Sequence, residues 1–86
     1  MLKAPKSPKD LKVGGLYHIE IPPYSKLIFD GIEYFEDDIF MVVSKPKWKR
    51  DEIYSWYSLQ AIVRDKLITV EFIDYQAQYF KQIVET

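Results

Sequence analysis

The chain has no cysteine, one histidine (His18) and three glycines among its 86 residues. Without cysteine, neither a disulfide framework nor a zinc–thiolate site can reinforce the fold. No thiol can serve as a nucleophile either. With one histidine, any Ser–His–Asp arrangement would have to assemble around His18, whose neighbours in sequence suggest no such grouping. Gly14, Gly15 and Gly31 do not make the clustered loop that cradles a phosphate. No apolar stretch approaches the ~18–20 residues of a membrane span. The N-terminal lysines precede no apolar segment of the kind a secretory signal needs. Net charge is −1, so bulk electrostatics do not point to a polyanion.

What the chain has is aromatic mass: seven Tyr, five Phe and two Trp. Each can bury about 150–250 Å², which lets one small domain build a core. The length excludes two domains. The charges are clustered. Lys3, Lys6, Lys9 and Lys12 stand near the start. Asp30, Glu33, Glu36, Asp37 and Asp38 follow with no cation among them, and then Lys45, Lys47, Lys49 and Arg50 with no anion.

Period-2 alternation is the main structural signal. Tyr57, Leu59, Ala61 and Val63 share one face of a strand, and Ile68, Val70 and Phe72 one face of the next. The tight polar turn Val63-Arg64-Asp65-Lys66 lies between them, so Tyr54–Phe72 reads as a hairpin. Tyr17, Ile19 and Ile21 alternate with His18 and Glu20 in a first strand, which sets His18 on the outward face and ends at Pro22-Pro23. Asp30-Gly31 between Leu27–Phe29 and Ile32–Tyr34 suits a type I′ hairpin. Ile39–Ser44, rich in β-formers, predicts a central strand buried on both sides. Lys45-Pro46 is expected to stop it, leaving Lys47–Glu52 as an exposed loop. Ile73–Val84 fits either helix or strand; one helical turn near Asp74–Gln78 followed by a strand is favoured, since it pairs an otherwise open edge. Residues 1–12, with Pro5 and Pro8 among lysines, read as an extended arm that docks only if a partner holds it. Residues 13–86 then form one mainly β domain, a small five-stranded SH3-like barrel with a short C-terminal helical turn.

Particular motifs carry a family resemblance. Lys12-Val13-Gly14-Gly15-Leu16-Tyr17 resembles the K-x-G-D-L-V opening of small SH3-like barrel proteins of tailed bacteriophages. Ile39-Phe40-Met41-Val42-Val43 stands where those proteins have G-L-V-L-x-V. Trp56-Tyr57-Ser58-Leu59 with Asp65-Lys66-Leu67-Ile68 is similar to their W-x-V-x-W-x-D-G-K hairpin, and Phe80-Lys81-Gln82-Ile83 to their terminal L-x-x-I. Gly15 replaces the usual acid, Lys66 the usual glycine, and no glycine precedes Phe40. The resemblance implies the barrel fold and a virion component or accessory protein, found in the virion or the host cytoplasm.

The acidic run lacks the Asp-x-Asp-x-Asp-Gly order of a calcium loop, so no metal site is expected, and no cofactor or small-molecule substrate. The candidate surface is Lys47, Trp48, Lys49 and Arg50 with Tyr54 and Trp56, since Trp and Arg are enriched at interface hot spots. In an SH3-like layout Tyr34 and Phe35 and the adjoining acids would form the facing wall of a cleft. Arm cations Lys3, Lys6 and Lys9 would add contacts to a neighbouring subunit by strand addition. The reading that follows is a non-catalytic interaction module with a protein partner in a larger assembly. The alternatives are a nucleic-acid-binding barrel of Tudor or KOW type, and a small inhibitor or regulator acting through the acidic loop.

Overall fold

A computed structural model of the chain describes residues 5–83 in full and the backbone of residues 2–3. Its strands are β1 (Leu2–Lys3), β2 (Leu16–Ile19), β3 (Leu27–Phe29), β4 (Ile32–Tyr34), β5 (Phe40–Val42), β6 (Lys47–Arg50), β7 (Ser55–Val63), β8 (Lys66–Phe72) and β9 (Phe80–Ile83). Short 3-10 turns occupy Pro8–Asp10 and Asp74–Tyr79. The chain is mainly β, with 47% strand against 11% helical.

The β7–β8 hairpin forms as its alternation requires. Leu59, Ala61 and Val63 face Val70, Ile68 and Lys66 in antiparallel register. Arg64 and Asp65 both take positive φ, 51° and 60°, the geometry of a two-residue type I′ turn whose twist matches the strands. Asp30 and Gly31, at φ 52° and 77°, turn β3 into β4 in the same way. The inward residues of β7 and β8 bury against Tyr17, Ile19, Phe40, Val42 and Phe80 to make the core. Its aromatics meet mostly at steep or tilted angles, as in Tyr17 on Phe80 and Tyr34 on Phe40. Such arrangements suit the ring quadrupoles.

Five sequence expectations change. The sheet is open: β1, β9, β2, β5 and β7 lie side by side, with β6 and β8 on β7, and no pairing among the described residues closes it into a barrel. The edge of β8 is met instead by a side chain, as the Thr69 N–H donates to the Asp30 carboxylate at 3.3 Å. The central strand is short, and Ile39 is exposed. Lys45-Pro46 interrupts the sheet without ending it. Between the Met41–Ile62 and Lys47–Ser58 pairs, the β5–β6 segment uses two more residues than β7, and Ser44 Oγ accepts the Gln60 N–H at 2.8 Å. That hydroxyl satisfies the donor the bulge would orphan. Beyond it the chain pairs again as β6, so Lys47–Arg50 is a strand rather than a loop.

The arm also differs. β1 pairs with β9 of the same chain, Leu2 opposite Ile83, and Pro8 and Leu11 are buried. It lies on its own domain, with Pro5, Pro8 and Leu11 buried against it. The expected helical turn then strand appears as Asp74–Tyr79 and β9, with residue 84 and beyond outside the described residues. Among the described residues no helix is long and apolar enough to cross a membrane.

Candidate interaction surface

β6 is held in place by Asp51. Its carboxylate accepts the N–H groups of Ile53 and Tyr54 at 2.8 and 2.6 Å, and its own N–H donates to the Tyr54 carbonyl. These hydrogen bonds hold the Asp51 carboxyl below its ordinary pKa, the Tyr54 N–H contributing most. This Asx-type turn brings Lys47–Arg50 back along Ser55–Ser58. All four β6 residues are exposed. Trp48 remains 56% exposed, and at the tip Ile53 is 81% and Tyr54 68% exposed. The Arg50 guanidinium lies 5.7 Å from the Trp48 ring centre.

Register divides the expected residues between two faces, since neighbours across an antiparallel pair share a side. Trp48 stands opposite Tyr57, which is on the core face, so Trp48 and Arg50 continue that face beyond the packed interior. Lys47 and Lys49 stand opposite Ser58 and Trp56 on the other face. There the Trp56 indole N–H donates to Glu71 at 2.8 Å, and the ring is only half-buried. The two tryptophans therefore do not act together.

The face with Trp48 has a neighbour that the sequence did not reveal. Pro8, Lys9, Leu11, Lys12, Val13, Lys45, Pro46 and Tyr57 line a groove of about 460 Å³. Its walls come from the docked arm and the β5–β6 bulge. Three of the lining residues are lysines and none is acidic. Asp10, next to Lys9 in the chain, accepts the N–H groups of Lys6 and Ser7 at 3.0 and 3.1 Å. Of the arm cations, Lys9 thus joins the groove and Lys6 does not line it; the side chain of Lys3 lies outside the described residues. A Lys12–Gly15 turn shapes one wall. Lys12 N–H donates to the Tyr17 hydroxyl at 2.8 Å, and Gly15 N–H to the Lys12 carbonyl at 3.0 Å. Gly15 is required there because a Cβ would stand 2.9 Å from the Tyr17 ring and 3.0 Å from that carbonyl.

The expected acidic wall is elsewhere. Tyr34 is a core residue, 1% exposed, packed on Phe29 and Phe40. The Arg64 guanidinium lies over it at 4.7 Å and over exposed Phe35 at 5.7 Å. Arg64 follows the last residue of β7, while Trp48 faces Tyr57 near its start. Seven steps along the chain from Tyr57 to Arg64 separate them by roughly 23 Å. The two walls do not meet in a cleft.

Much of the acidic run is structural. Asp38 takes Arg64 Nε and Nη2 at 2.9 and 2.7 Å and the Phe35 N–H at 2.8 Å. The Arg64 hydrogen bond, aided by the Phe35 N–H, holds the Asp38 carboxyl below its ordinary value against a smaller opposing effect of burial. Glu36 accepts the Ile21 N–H at 3.1 Å, pinning the loop to the end of β2. His18 is half-buried rather than fully solvated. Its Nδ1 sits 3.1 Å from the Asp38 carbonyl oxygen, which accepts the ring N–H. Among the described residues no three metal-ligating side chains converge.

No protein-family model, curated protein or solved structure matches the chain.

Proposed function

We propose that the chain is a non-catalytic interaction module that docks on a protein partner within a larger assembly, its sheet following an SH3-like layout. The docking reading is carried by one observation. Trp48 is held 56% exposed on a paired strand with Arg50 against its ring, and Ile53 and Tyr54 are uncovered at the tip of the same hairpin. Exposed aromatic and apolar side chains with an adjoining arginine on one hairpin are costly in water and match the composition of interface centres. The layout is supported by the meander β5–β7–β8, the 3-10 turn, and β9 returning beside β2. The motif resemblance alone supports a phage particle as the assembly.

The test is retention of partners by the immobilised full chain from a lysate of its source, with Trp48→Ala in parallel. A protein held by the wild type and weakened about tenfold or more by the variant is expected. Identical retention by both removes Trp48 from the interface and refutes the reading.

A second reading, nucleic-acid binding, is favoured by Lys47 and Lys49 sharing a face with Trp56. Aromatic rings between cations stack on bases. Phosphate-driven binding must weaken steeply with salt, whereas a packed protein contact need not.

A further inference from the structure

We infer that the groove between the docked arm and the β5–β6 bulge receives an acidic, extended peptide segment of the partner, anchored by an apolar side chain. This rests on the docking reading and assigns the partner's chemistry. The floor is apolar: Pro8, Leu11, Val13, Pro46 and the ring of Tyr57. At about 460 Å³ it lies within the ~300–1,000 Å³ range of ligand-binding clefts.

Lys9, Lys12 and Lys45 stand on its rim, and all three are exposed. Among the described residues, none of the three has an ion-pair partner. Asp10, beside Lys9 in the chain, keeps its negative charge but does not line the groove and pairs with none of the three lysines, so the groove lining carries three cations and no anion. A chain of net charge −1 therefore concentrates unpaired cations around an apolar slot. Carboxylates flanking an aliphatic or aromatic residue complement that arrangement in both charge and polarity.

Trp48 stands opposite the lining residue Tyr57 on the same face, so an extended segment in the groove passes close to the indole. A second copy of this chain fits poorly, because two lysine rims would face each other. Nucleic acid fits less well than a peptide, since its interfaces are more polar than this floor.

The immobilised full chain is presented with a displayed library of random peptides. Enriched sequences are then synthesised with a fluorescent label and titrated by anisotropy, with an oligothymidylate in competition. Net-acidic peptides bearing one large apolar residue are expected, weakened about tenfold or more by Lys9→Glu/Lys12→Glu/Lys45→Glu. The corresponding triple glutamine variant, checked by circular dichroism, should weaken them less but measurably. Neutral or basic peptides that still need Trp48 would overturn the inference and leave the docking reading standing. So would peptides indifferent to the lysine variants, or an absence of any enriched peptide. Displacement of the peptide by the oligonucleotide would overturn it in favour of nucleic acid. Failure of the docking reading is read separately, from partner retention by Trp48→Ala.

Discussion

Tyr17→Phe separates the stability of the groove wall from that of the core beneath it. The ring of Tyr17 is fully buried against Phe80, and phenylalanine keeps that contact. What is lost is the hydroxyl that accepts the Lys12 N–H at 2.8 Å. Leaving a buried donor unpaired costs about 1–3 kcal/mol. Lys12 is exposed, so water reaches its amide in part, and the lower end, about 1 kcal/mol, applies. For a domain of this size that corresponds to a fall in Tm of roughly 4–8 °C. Urea unfolding should show a lower midpoint with an unchanged slope. Native-state hydrogen exchange should show the Lys12 amide losing more protection than the amides of β7, because the Lys12–Gly15 turn opens before the sheet does. A stability within about 0.3 kcal/mol of wild type, or unaltered exchange at Lys12, would refute the claim that this hydroxyl holds the wall.

Gly15→Ala should destabilise by about 1–3 kcal/mol, since its methyl meets the Tyr17 ring and the Lys12 carbonyl; thermal melting measures it, and an unchanged Tm would show that the loop yields freely. Asp51→Ala removes two hydrogen bonds from the β6–β7 turn, so amides of Lys47–Arg50 should exchange faster while the global midpoint barely moves. If those amides keep their protection, the turn does not depend on Asp51. The folded Asp38 pKa lies below its unfolded value because Arg64 stabilises the carboxylate. Its stabilising contribution is therefore complete above the unfolded value of about 3.9 and is lost as pH falls through the lower folded one. A carboxyl NMR titration of Asp38 should move upward in Arg64→Gln, and a titration identical in the variant would rule out Arg64 as the cause.

The strands were legible wherever one face is buried and the other wet. In β7 and β8 the alternation of Leu59, Ala61, Val63, Ile68 and Val70 reports directly which side faces the core, the polar Arg64-Asp65 breaks that alternation at their turn, and Asp30-Gly31 marks the β3–β4 turn through local backbone preference. Lys47–Arg50 was not legible as a strand. None of its residues is buried, so no hydrophobic period exists to read; the pairing comes from the Asp51 turn and the adjacent β7. Ile39 misled for the opposite reason: a β-former in an apolar run, it lies beyond the point where the strand enters the core.

For the site, the sequence disclosed the exposed chemistry of Lys47, Trp48, Lys49 and Arg50 but not its arrangement. Trp56 lies half-buried on the face away from the core, and its link to Glu71 spans 15 residues and leaves no local trace. Tyr34 was expected on a surface wall and is instead packed in the core under Arg64, a contact made by elements distant in sequence. Lys9 and Lys12 became groove residues only because the arm folds onto its own domain.

Composition and periodicity by themselves determined a mainly β chain with an aromatic core, because side-chain burial on a strand repeats every second residue and needs no distant information. Tertiary packing alone decided that the sheet stays open, that the tryptophans occupy opposite faces, and that three lysines surround one apolar groove. Those outcomes depend on strand register and on contacts between residues far apart in the chain, and local pattern carries neither.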